Sequence, residues 1–299
     1  MKKYFFMAGL ILLAACSNES GNVVNNAQME EATAPVTVRV DGFSVSQEDL
    51  SITRATQTVG DYDDVKALTL AFYNGETETY KHTQVKESLE GETFGVFSTA
   101  LPLGSYKMVV IARGGSASDV FTLTSPTEAA YTSDHSRETF AYVETVNITN
   151  TNAKELSATL NRIVAKLEVN STDGRTANVE KVRMTFSAGA KAFNPTTGLA
   201  TVNTGFANTV SATGKAVGLD SKSASYIFLA TDEQNIDVTI ETLDADGNTV
   251  FSKTVANVPF KRNRLTTMRG AMYSANASSA ANSFLINTDW LDEDDPVNF

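Results

Sequence analysis

Residues 235–255 read NIDVTIETLDADGNTVFSKTV. Ile236, Val238 and Ile240 alternate with Asp237, Thr239 and Glu241, so the apolar side chains share one face of an extended chain. Asp244-Ala245-Asp246-Gly247-Asn248 then breaks the pattern, because Asp, Asn and Gly tolerate the backbone of tight turns. Val250, Phe251 and Val255 continue in a return strand. Strand, turn and strand in that order make a β-hairpin with one face buried.

The same pattern recurs on both sides. Val36, Val38 and Val40 alternate in VTVRVDGF, with Phe43 and Val45 following Asp41-Gly42. Leu68, Leu70 and Phe72 alternate up to Asn74-Gly75, and YKMVVIA at 106–112 follows Leu103-Gly104. Val146 and Ile148, then Val182, Met184 and Phe186, repeat it, and YIFLA at 226–230 is a short apolar block. Phe284, Ile286 and Trp290 share one parity in SFLINTDW. LSATLNRIVAKLEV at 156–169 also satisfies helical spacing at Leu156, Leu160, Ile163, Val164 and Leu167. Its β-rich surroundings favour strand. Short alternating runs punctuated by Gly, Asn and Asp argue an all-β fold of the sandwich type. One sandwich takes roughly 100 residues, so a chain of 299 residues is expected to hold two in tandem, at 36–153 and 154–299. The boundary is placed in the polar stretch Thr149–Lys154.

The N-terminus sets the compartment. Lys2 and Lys3 precede an apolar run from Tyr4 to Leu13, too short to span a bilayer. It ends in Leu13-Ala14-Ala15-Cys16, which holds the single cysteine of the chain. Small residues directly before a cysteine are what a lipoprotein signal peptidase requires, so 1–15 reads as a lipoprotein signal peptide. The Cys16 thiol then takes a diacylglycerol thioether, and two or three acyl chains such as palmitate hold the protein on a membrane at about 0.8 kcal/mol per buried CH₂. Residues 16–35 are polar and aperiodic, which suits a flexible tether. With one cysteine, no disulfide forms within the chain. The formal charge is −11, and loss of Lys2 and Lys3 makes it more negative. That balance argues against nucleic acid and anionic headgroups as partners.

The search for chemistry yields no catalytic and no metal site. His82 and His135 are the two histidines, and neither has a partner at metal-ligand spacing. Asp134-His135-Ser136 spells triad letters in a row, yet a triad is assembled across a fold. No GxSxG, P-loop or GxGxxG is present. Asp244–Asn248 lacks the distal bidentate Glu of a calcium loop and reads as a turn. Asp292-Glu293-Asp294-Asp295 reads as a solvated charge run, and Lys261-Arg262-Asn263-Arg264 is expected to pair internally. The 35 acidic residues single out no pair for glycoside hydrolysis. No cofactor is expected.

Several motifs, in order, carry a resemblance. They are the lipobox with its polar tether, LTLAFYNGE at 68–76, LPLGSYKMVVIARG at 101–114, LNRIVAKLEV at 160–169, NVPFKRNRLTTMRGAMY at 257–273 and FLINTDW at 284–290. Together they resemble the fimbrillin family of Bacteroidetes, the type V pilins with their anchor and tip subunits. LNRIVAKLEV is similar to the family's Arg-x-x-Ala-Lys strand, and NVPFKRNRLTT to its Val-Pro-x-x-Arg-Asn-x-x-Thr pattern.

The resemblance implies two transthyretin-like β-sandwiches, no catalysis, and export to the outer membrane and cell surface as a lipoprotein. It also implies assembly by strand exchange. A trypsin-like protease cuts after an Arg beyond the first strand, that strand leaves, and a strand of another subunit fills the groove by β-augmentation. Here the first strand is 36–45, and Arg54-Ala55 is the expected cut. The expected donor strand is 283–290, with Phe284, Ile286 and Trp290 as its knobs. Partners are then other pilus subunits, and the outer membrane through the lipid on Cys16. Two other readings stay open at this point. One is a lipid-retaining anchor or accessory subunit of the same fimbria. The other is a glycan-binding surface lipoprotein, which would need an aromatic platform.

Overall fold

The computed structural model describes residues 31–43, 58–115, 121–132, 135–212, 215–273 and 284–287. Two compact units divide at Glu31/Ala32, and the fold described below belongs to the second. In chain order the strands are β1 (Thr33–Phe43), β2 (Ala67–Asn74), β3 (Thr77–Val85), β4 (Val96–Pro102), β5 (Gly104–Arg113), β6 (Phe121–Ser125), β7 (Glu128–Tyr131), β8 (Thr139–Ile148), β9 (Lys154–Arg162) and β10 (Ala165–Ser171). They continue as β11 (Lys181–Phe186), β12 (Ala192–Asn194), β13 (Leu199–Ala200), β14 (Phe206–Ser211), β15 (Lys222–Ile227), β16 (Glu233–Leu243), β17 (Thr249–Lys261), β18 (Leu265–Gly270) and β19 (Leu285–Asn287). Among the described residues there is no α-helix, and the only helical turn is 3-10, at Lys86–Ser88. The all-β class expected from the alternation is what forms.

Seven strands form one sheet in the order β3-β2-β5-β8-β9-β1-β4. β8 and β9 pair only at Phe140–Arg162 and Ala141–Asn161. The sheet folds over at that narrow join, and β3-β2-β5-β8 faces β9-β1-β4 across a shared core. Leu68, Leu70, Phe72, Met108 and Val110 meet Val36, Val38, Phe97, Leu101 and Leu160 there. Among the described residues β3 and β4 are the two edges of this sheet, and a side chain bridges them. Gln84 accepts from the Gly95 amide at 2.9 Å and donates to the Val96 carbonyl at 2.8 Å. A buried amide thus stands in for the ladder that two unpaired edges would otherwise offer to other chains.

Two further sheets, β15-β10-β18-β19 and β14-β11-β16-β17, enclose a second core. The quoted hairpin is β16–β17. Ile236, Val238 and Ile240 are at most 1 % exposed, and Asp244 closes the turn by accepting from the Asn248 amide at 2.7 Å. A fourth sheet, β13-β12-β7-β6, takes strands from both halves of the chain. Its Phe193 stacks on Phe228 at 4.2 Å, and its residues share a core with Tyr73, Val109 and Ile111 on the outer face of β2 and β5.

The run 156–169 is extended, as its surroundings suggest, but it is two strands in two sheets. The boundary expected between 153 and 154 falls just before β9, which pairs with β1 and β8. The change of sheet comes at Ile163-Val164, between β9 and β10. The inward parity changes at that point, from Ala158 and Leu160 to Ala165, Leu167 and Val169, and Ile163, Val164 and Ala165 are buried in succession.

Candidate functional site: the first-strand slot and its surroundings

β1 lies between β4, antiparallel to it, and β9, parallel to it. Ala34, Val36, Val38 and Val40 point inward and are at most 6 % exposed, while Thr33, Pro35, Arg39 and Asp41 face out. Each buried valine contributes about 1.5–3 kcal/mol of transfer free energy. The outer ion pair, Arg39 to Glu155 at 3.8 Å, is exposed on both sides and adds little. Neither neighbour of β1 is adjacent to it in sequence, so the strand enters the sheet without a hairpin. A register shift at Val40/Gly42 ends its regular pairing with β9, and glycine suits such a bulge. Gly95 closes the other side. It accepts from the Val40 amide at 2.8 Å and has φ +88°, and a methyl there would stand 2.8 Å from Val59 Cγ1.

The end of β1 meets a charged cluster. The Phe43 ring lies 4.4 Å from Phe140 and 5.0 Å from Tyr62. The Tyr62 hydroxyl donates to the Glu138 carboxylate at 3.2 Å. Arg162 Nε donates to Glu138 at 2.7 Å, Nη2 to the Tyr62 oxygen at 3.2 Å and Nη1 to Asn263 Oδ1 at 3.0 Å. The guanidinium sits 5.0 Å above the Phe140 ring, a cation–π contact. Glu138 is 5 % exposed. Burial pushes its carboxyl above the ordinary value, with Arg162 pulling the other way. Burial, then the nearby Glu138 charge, pushes the Tyr62 phenol up to about 12.

Of the residues singled out by sequence, Cys16, Arg54, Ala55 and Trp290 lie outside the described residues. Phe284 is 7 % exposed and lies against Gly270, where a methyl would come 2.8 Å from its ring. β19 follows and pairs antiparallel with β18, setting Ile286 opposite Met268 and Leu285 opposite Arg269. Ile286 is 39 % exposed and Leu285 69 %. Phe284 and Ile286 thus sit beside β18 of their own chain, where β19 forms the edge of the sheet.

His82 Nε2 is 3.2 Å from Glu92, and that hydrogen bond holds the Glu92 carboxyl below its usual range. Ser136 is buried and donates its hydroxyl to the Tyr226 carbonyl, a structural role. Lys261 pairs with Glu233 at 2.9 Å and Arg262 with Asp232 at 2.6 Å, the internal pairing expected of that basic run. Among the described residues, no three His, Cys, Asp or Glu side chains converge as metal ligands, and no helix is long and apolar enough to cross a membrane. Sequence reasoning did not pick out the Glu138–Arg162–Tyr62 cluster, whose members are far apart in the chain. A buried pair leaves no local mark, although Arg162 and Asn263 both lie in motifs that carried the resemblance.

Residues 26–296 match a family of unknown function, DUF6562. The chain belongs to that family. No curated protein is significantly similar to it in sequence. Among solved structures, a candidate adhesin from Bacteroides ovatus is similar at a TM-score of 0.51 and 11% identity, over 89% of this chain and 97% of that one. The fimbrial anchor protein Mfa2 from Porphyromonas gingivalis gives 0.46 and 10%, over 87% and 98%. The tip fimbrial protein Mfa3 from the same organism gives 0.38 and 13%, over 86% and 100%. At these identities the likeness concerns the fold, and the Bacteroides ovatus structure carries it.

Proposed function

We propose that this DUF6562 protein is a non-enzymatic structural subunit of a cell-surface fimbria, exported as a lipoprotein on Cys16 and assembled by β-strand exchange in support of adhesion. The observation that carries this reading is β1. It is a strand with four buried inward side chains, paired among the described residues with two strands remote in sequence. Its withdrawal would open a slot flanked by β4 and β9, lined with apolar pockets and edged by unpaired backbone. Such a slot accepts an extended strand by β-augmentation. In this reading the two core-bearing assemblies act as two transthyretin-like modules, the first keeping β9. The cut falls at Arg54-Ala55, and the segment 283–290 is the donor to the next subunit.

β19 also supports a second reading within the same system. It is seated on its own chain and β1 is in place, the arrangement a lipid-retaining anchor or accessory subunit would keep. Intact mass and N-terminal sequencing of the protein taken from the outer membrane and from sheared surface fibres separate the two. A chain beginning at Ala55 supports the polymerising subunit. A chain that begins only at acylated Cys16 overturns it and leaves the anchor. Trp290, the one tryptophan of the chain, adds a second readout, since its emission should shift when 283–290 moves into another subunit.

A further inference from the structure

Two motifs singled out in the sequence, Arg162 to Lys166 and Val258 to Thr266, meet in the fold. Arg162 donates to Asn263 at 3.0 Å. The Asn263 amide donates to the Val164 carbonyl at 2.9 Å and the Lys166 amide to the Arg264 carbonyl at 3.0 Å. Asn263 holds a left-handed backbone, φ 59°, in the turn between β17 and β18. One guanidinium therefore ties the end of the first sheet to a turn of the second core. The other side of that guanidinium faces Glu138, Tyr62 and Phe140, and Phe43, the last residue of β1, packs against two of these three. No other β1 residue stacks on an aromatic ring of this group.

We propose that Phe43 makes the Glu138–Arg162–Tyr62 cluster a sensor of slot occupancy, so that loss of β1 loosens the β17–β18 turn through Arg162 and Asn263. Phe43 helps keep water from the Glu138–Arg162 pair. When it leaves, the local dielectric rises and the attraction between the charges falls. Tyr62 and Phe140 lose a ring neighbour at the same time, and the guanidinium gains freedom to release Asn263. The biological occasion rests on the strand-exchange reading, but the contacts and the test do not.

The test is amide hydrogen exchange on the full chain, comparing Asn263 and Lys166 with Met184, which is central in the second core and paired on both sides. F43A should speed exchange at Asn263 and Lys166 by about tenfold relative to Met184, as expected for local opening. V36A, in the same slot but at the far end of β1, should leave that ratio within about twofold, and F43L should restore most of the protection. R162M should reproduce the F43A effect, and the double variant should exceed neither single one, because both act through the same contact. If F43A leaves the ratio unchanged, if V36A raises it equally, or if F43A and R162M add, the sensor is overturned. A mature chain found to begin at Cys16 would instead remove the strand-exchange reading and leave this coupling standing.

Discussion

Glu138 and Glu241 are both paired with arginine, and their environments drive them in opposite directions. Glu241 accepts from Arg183 at 2.6 Å, and that bond holds its carboxyl below the ordinary 4.5. Its contribution to stability is full above the unfolded value and is lost as pH falls through the folded one. Burial raises Glu138 above 4.5, so its proton linkage favours the fold below the unfolded value and is lost as pH rises through the folded one. Urea midpoints across pH 3–7 should therefore part the two variants. E241Q should lower stability at neutral pH and flatten the loss on acidification. E138Q should make the profile less downward-sloping from about pH 4.5 towards neutrality. Parallel profiles for the two variants would contradict this account. R162A leaves a buried carboxylate without its cation and should cost about 3–5 kcal/mol, read from the same urea curves. None of this is legible in the sequence, where Glu138 and Arg162 are two of many charged residues and burial alone sets their roles.

At the scale of the element, β1 was legible because its alternation is clean and its buried face carries three β-branched valines. V38A should cost about 2–3 kcal/mol through lost transfer energy and the cavity left behind, since Val38 is fully buried opposite Phe97. R39A, one residue away on the outer face, should change stability by less than about 0.5 kcal/mol. Denaturant titration of the two variants checks both figures, and a similar loss in each would show that β1 is not packed as described. G95A should cost about 1–3 kcal/mol from its left-handed backbone, with Val59 crowding added. The short strands were not legible. β7 reads EAAY and β13 only LA, too few residues to display a period, and they become strands through pairing with β6 and β12. The division of 156–169 left one mark, the change of inward parity between Leu160 and Ala165, but that the two strands lie in different sheets shows only from their partners, β1 and β8 for one, β15 and β18 for the other.

For the body Ala32–Phe299 the decisive feature is the small sheet that both halves of the chain build. β7 pairs with β12, and Phe193, Phe228, Tyr131 and Ile163 share one core with the outer face of β2 and β5. Tandem domains joined by a linker would be expected to move and melt separately. An apolar interface of shared strands couples them instead, so calorimetry should show one transition for the wild-type protein. Phe193 is fully buried and stacked at 4.2 Å on Phe228, so F193A should cost about 3–5 kcal/mol. That loss falls on the junction, and neither of the two larger cores loses a side chain. The single transition should then separate into two, the first-sheet assembly and the second core each unfolding in its own range. A lowered but still single transition would mean that the remaining links, Arg162 to Asn263 and the strand change at Ile163-Val164, suffice to hold the body together. In that case F193A combined with R162M should produce the split that F193A alone did not.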